Sequence, residues 1–150
     1  NENMTTQTLI KLFRRDLTKL NAEIELYNEE QDLWLLKNEI NNAAGNLSLH
    51  IVGNLNHFIG AVLGKTGYIR QRDLEFSLKD IPKAALLKDI ETTKVMVETV
   101  LSGLNEEDLK KDYPLMVFNE TMTTEYFLTH LTTHLAYHLG QINYHRRLIK

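Results

Sequence analysis

The 150-residue chain contains no cysteine. That excludes disulfides, a thiolate nucleophile and sulfur-ligated metal, leaving histidine, carboxylate and water as ligands. Thiol chemistry would need a thiol carried in by a cofactor or substrate. Proline and glycine are scarce, at two and seven residues, so little interrupts the periodic apolar pattern. No apolar run approaches the roughly 18 residues of a membrane span, and no signal peptide is visible, which predicts a cytoplasmic protein without membrane partners. Positive charge is also lacking: the net charge is −3, so nothing electrostatic favours nucleic acid. Met4-Thr5-Thr6 reads as a natural start, with Asn1-Glu2-Asn3 as cloning remnants. The sequons Asn46-Leu47-Ser48 and Asn119-Glu120-Thr121 are expected to be accidental.

What is present is helical periodicity around one core. Length and a hydrophobic content of 43% suit one domain. The expected fold is all-α, with four long helices and long crossovers. The first spans about Thr6 to Glu29, with Ile10, Phe13, Leu17, Leu20, Ile24 and Tyr27 on one stripe. A connector follows, in which Trp34 serves as an apolar plug at a bundle end. Asn41-Asn42 supplies capping for a second helix from about Ala43 to Leu63, which Gly64 and Gly67 stop. Residues 65–80 read as a crossover. The third helix starts with Pro82 in its first turn and runs to about Leu104. Asn105 to Asp108 is a cap and short turn, and residues 115–120 are expected to be loop. The Thr121–Thr124 cluster caps a fourth helix that runs to the C-terminus, with Arg146, Arg147 and Lys150 in its last turn. Two long connections argue against a simple up-down-up-down order.

Four of the six histidines fall in one late stretch, HLTTHLAYHLGQINYH. A helix turns about 100° per residue. With His130 at zero, His134 lies at about 40°, His138 at about 80° and His145 at about 60°. On the second helix His50 and His57 differ by only about 20°. Both stripes border apolar faces, and such margins point into a bundle's cleft. Histidines at i and i+4 are close enough to share one ion, so His130–His134 and His134–His138 are both candidate pairs. His145 is about 10 Å along the axis from His138, too far for the same ion. A third ligand has to come from helix two. Three histidines plus water make an open site of the catalytic type. Leu135 stands where a metalloprotease keeps its general-base glutamate, so that peptidase chemistry is excluded. A metal-free bundle with a buried histidine cluster is the structural alternative.

The stretch His134-Leu135-Ala136-Tyr137-His138-Leu139-Gly140-Gln141 resembles the C-terminal HxxxH-x-G-Q signature of the DinB/YfiT-like superfamily of metalloenzymes. Leu47 to Leu55, around His50, resembles its second-helix histidine motif. Gly67-Tyr68-Ile69-Arg70-Gln71-Arg72-Asp73-Leu74-Glu75-Phe76 resembles one uncharacterised branch. Leu139 departs from the pattern, which often has arginine there. The resemblance implies an up-down-down-up four-helix bundle, a metal triad of His50, His134 and His138, zinc or nickel as the divalent ion, and a homodimer. Some relatives use low-molecular-weight thiols, and others are called hydrolases.

The expected function is a metal-dependent enzyme, hydrolysing a small-molecule substrate or transferring a thiol to it. The alternative is a non-catalytic binding or stress-related bundle with a structural or incidental metal. Supporting roles near the ion, or contacts to substrate, are expected of His57, His130, Asn54 and Gln141. Arg70 and Arg72 are candidates to clamp a carboxylate or phosphate. Gly53 sits mid-helix, where glycine costs about 1 kcal/mol against alanine; close approach or substrate room would explain it.

Overall fold

A computed structural model describes residues 3–149. The expectations for Asn1, Glu2 and Lys150 lie outside them. Among the described residues the chain is all-helical and has no named strand. The described residues form six α-helices: α1 (Met4–Glu25), α2 (Ala44–Leu55), α3 (Arg72–Ser77), α4 (Lys83–Ser102), α5 (Glu106–Lys110) and α6 (Thr124–Leu148). A 3-10 turn spans Glu30–Trp34, and α2 continues as a π-helical segment, Asn56–Ala61.

The predicted stripe of α1 is the core-facing one: Ile10, Phe13, Leu17, Leu20, Ile24 and Tyr27 are all buried. Leu47, Ile51 and Leu55 from α2, Ile90, Val97 and Leu101 from α4, and Leu131, Leu135 and Ile142 from α6 join it. α1 packs on α4 and α6, and α2 packs on the same two helices. Polar contacts fix the register. Asn21, late in α1, reaches the Leu87 carbonyl early in α4 at 3.5 Å, and Arg14 pairs with Glu98. Glu23, late in α1, accepts from Asn143 (2.7 Å) and Arg146 (3.0 Å), late in α6. Asn56, just past α2, donates to Thr93 of α4 at 2.9 Å.

Several boundaries depart from the sequence reading. α1 ends at Glu25, four residues short of the expected Glu29. Asn41-Asn42 does not cap α2: Ala43 is the N-cap and makes no side-chain capping bond. Tertiary contact replaces the cap, because the Trp34 ring lies against Gly45, close enough that a Cβ there would meet Trp34 at 2.6 Å. Pro82 is the N-cap of α4 rather than a residue of its first turn. The crossover contains α3, and the turn at Asn105 is a five-residue helix closed by a reciprocal Asn105–Asp108 capping box. Thr123 caps α6 by accepting from the Tyr126 N–H at 3.0 Å.

α3 folds back onto α2 through Asn46. Its amide donates to the carbonyls of Glu75 (3.0 Å) and Leu78 (2.8 Å), and its Oδ1 accepts from Lys79 at 2.8 Å. Asn46 is only 1% exposed, so the first sequon is closed to modification in the folded chain. No helix among the described residues is long and apolar enough to cross a membrane.

Candidate metal centre

His134 and His138 stand one turn apart on α6, and His50 faces them from α2. The Nε2 atom of His134 is 3.2 Å from Nε2 of His50 and 3.1 Å from Nε2 of His138. One nitrogen from each ring lies within 4.8 Å of the other two. Two imidazole nitrogens bound to one zinc at about 2.0–2.1 Å, at near-tetrahedral angles, sit roughly 3.3 Å apart. The spacing therefore fits a divalent ion.

The outer ring nitrogens make the fit chemical as well as geometric. His50 Nδ1–H donates to Oε1 of Glu75 at 3.0 Å, and His138 Nδ1–H donates to Oε1 of Gln141 at 2.7 Å. Both rings are thereby held with Nε2 unprotonated and aimed inward. His134 Nε2 carries at most one hydrogen, which serves one neighbour. In the neutral cluster the remaining contact brings two lone pairs together, and a cation at that point relieves it. Burial, then the neighbouring His138, His50, His130 and Arg70, push the His134 pKa down to about 3. Burial also lowers His138, against the Gln141 contact, which raises it. Neutral imidazole is the form that binds metal.

Glu75 is the neighbour of the cluster that the sequence did not single out. It is 6% exposed and takes two bonds from Arg70, Nε to Oε2 at 2.8 Å and Nη2 to Oε1 at 3.0 Å. Burial acts to raise its pKa, but the His50 and Arg70 contacts outweigh burial and hold it below the usual carboxylate range. Gly53 is explained by the same carboxylate. A Cβ at that position would collide with Glu75, so the glycine admits the group that orients His50. Two signals were available in the sequence: a glycine one turn after His50, and a carboxylate five residues after Arg70.

The other predicted residues divide. Gln141 bonds the His138 ring. Arg70 is committed to Glu75 instead of standing free as a substrate clamp. Arg72 is exposed, its guanidinium 5.3 Å from the centre of the Phe76 ring. His57 is the second residue of the π-helical segment and is half-buried, and the charges of Arg70 and Glu75 both act on it. Its ring packs on Phe58 at 4.8 Å, and among the described residues no hydrogen bond joins it to the triad. His130 lies beside His134, ring centres 6.5 Å apart, between Phe118 (5.1 Å) and Phe127 (5.9 Å). His145 is outside the cluster. Its Nε2–H donates to the Leu35 carbonyl at 2.8 Å, and its Nδ1 accepts from the Tyr27 hydroxyl at 2.6 Å.

A cleft of about 240 Å³ opens on two of the three histidines, His50 and His134. His50, His134, His130, Asn54, Arg72 and Phe118 are among its walls. Larger cavities lie elsewhere, of about 370 Å³ beside Gln141 and His145 and about 560 Å³ between α1 and α6. Neither includes a triad residue, so chemistry rather than volume identifies the small cleft as the candidate site.

A family model described as "Protein of unknown function (DUF1572)" matches residues 3–150. The match covers nearly the whole chain, which therefore belongs to that family. Searches of curated proteins and of solved structures each returned no match.

Proposed function

We propose that this member of the DUF1572 family is a metal-dependent enzyme that hydrolyses a small molecule or transfers a thiol to it. The observation that carries the reading is the convergence of three imidazole Nε2 atoms, two of them with their outer nitrogens pinned by Glu75 and Gln141. His50, His134 and His138 would hold the ion, with zinc or nickel expected. Such an ion supplies Lewis acidity and lowers the pKa of water or a thiol. Glu75 fixes the His50 tautomer, and Arg70 keeps that carboxylate ionised and in place. His130 lines the cleft, and among the described residues no hydrogen bond occupies its ring nitrogens, so it is our candidate for taking up the proton released from water or thiol.

The same reading places DUF1572 beside the DinB/YfiT-like metalloenzymes, with an up-down-down-up bundle order. The α1–α4, α1–α6 and α2–α4 contacts favour that order, since late α1 meets early α4 and late α6. A homodimer belongs to it as well; Tyr137, Tyr144 and Leu148 leave apolar surface exposed along α6.

The test is turnover of an ester panel, and of electrophile plus low-molecular-weight thiol, by metal-loaded, chelator-stripped and reloaded protein. Activity lost on stripping and regained on reloading, with helicity unchanged throughout, is the expected result. Folded, metal-loaded protein that turns over nothing would leave only a binding module.

A further inference from the structure

The cleft beside the triad has a composition that the proposed chemistry does not by itself require. Its one uncancelled charge is positive. Arg72 lines the cleft and among the described residues has no carboxylate partner, while the charge of Arg70 is cancelled by Glu75. No aspartate or glutamate lines the cleft among the described residues. The three imidazoles are neutral ligands, so an ion bound by them would keep its full charge. The body of the cleft is apolar, formed by Phe58, Phe118, Phe127, Val117 and Leu131.

The feature that marks the cleft as a binding place and not merely a gap is Phe118. It and Asn119 have φ of +58° and +56°, forming a two-residue turn closed by the Val117–Glu120 bridge. Such turns favour Asn-Gly, because a side chain at positive φ is strained. Here a phenylalanine occupies the first position, is 64% exposed, and stands over the His130 ring. Strain and exposed apolar area are both spent on one ring at the mouth of the cleft.

We infer that this cleft binds a small organic anion with an aromatic or branched apolar body, its acidic group toward Arg72 and the histidines and its body against Phe118 and Phe127. The inference deepens the proposed function and rests on it for the charge at the histidine end. The volume sets the scale, since about 240 Å³ lies below the roughly 300 Å³ at which sites for drug-sized ligands begin.

Phenylacetate, its neutral amide phenylacetamide, and acetate separate the two recognition elements. Calorimetry on the zinc-loaded chain is expected to give phenylacetate at least about tenfold tighter than either of the others, a difference of about 1.4 kcal/mol. Arg72→Gln, at an exposed position, should reduce the preference for acid over amide on zinc-loaded protein and abolish it on stripped protein. Phe118→Gly should leave the melting temperature unchanged or raised, because glycine relieves the positive φ, and yet weaken phenylacetate. A merely structural Phe118 would move stability and not binding. Repeating the titrations on stripped protein keeps the two claims apart. If the chain takes no metal, the Arg72-dependent preference for acid over amide should still be seen. If zinc binds but the acid and amide bind equally, or none of the three probes binds, the anion inference is overturned and the metal reading stands.

Discussion

His50 Nδ1 lies 3.0 Å from Oε1 of Glu75, so a carboxylate from a six-residue helix orients the imidazole that α2 offers to the cluster. Outer contacts of this kind set tautomer and ring direction, and their loss typically lowers metal affinity 10- to 100-fold. Glu75→Ala should therefore weaken zinc binding by about 100-fold and Glu75→Gln by about tenfold. Chelator-competition titration reads both. Wild-type affinity in Glu75→Ala would remove Glu75 from the account.

Gly53→Ala has a diagnostic sign. In an ordinary helix interior the change stabilises by about 1 kcal/mol. Here the new Cβ overlaps the Glu75 carboxylate, so a loss of about 1–3 kcal/mol is expected, together with weaker metal binding. On a Glu75→Ala background, itself destabilised by the unpaired Arg70, Gly53→Ala should cost nothing further or stabilise, because the methyl then has room. Denaturant midpoints of the two single variants and the double variant measure this. Additive losses would mean that Gly53 serves something other than Glu75.

How much of this was legible follows from what each feature depends on. The core stripe of α1 and the one-turn spacing of His134 and His138 are local, set by the helical repeat, and could be read directly. That His50 joins them was indicated by the need for a third ligand and by family resemblance. Glu75 depends on α3, which is too short to show periodicity and is held by the Asn46 amide, a tertiary contact. The π segment that begins at Asn56 is likewise invisible to a 100° rule. The cap of α2 was misread because Trp34 packing, not an asparagine side chain, fixes where that helix begins.

Acid should destabilise the metal-free chain. Burial lowers His134 to about 3 and also lowers His138, His145 and His57 below their ordinary value near 6.5. Between those limits the unfolded chain binds more protons than the folded one, so stability rises with pH. It is complete above about pH 6.5 and falls as pH drops toward about 3. Guanidinium midpoints at pH 7.5, 6 and 5, with chelator present, should decline in that order. A midpoint constant across this range would show that these rings are solvated.

Tyr27→Phe probes the scaffold apart from the site. The hydroxyl lies 2.6 Å from His145 Nδ1 and 3.2 Å from the Ile142 carbonyl, joining the end of α1 to the end of α6. Removing it leaves a buried ring nitrogen without its donor, at about 1–3 kcal/mol. Thermal denaturation should show a melting temperature several degrees lower, with zinc stoichiometry unchanged. Loss of zinc binding would tie this distant network to the centre.

Metal content is the most direct measurement. Wild type, His50→Ala and His134→Ala, purified without a histidine tag and offered zinc and nickel in turn, are assayed by elemental analysis. The account predicts one ion per chain for wild type and close to none for either variant, with all three folded. A wild type that stays metal-free, or variants that retain a full complement, would contradict it.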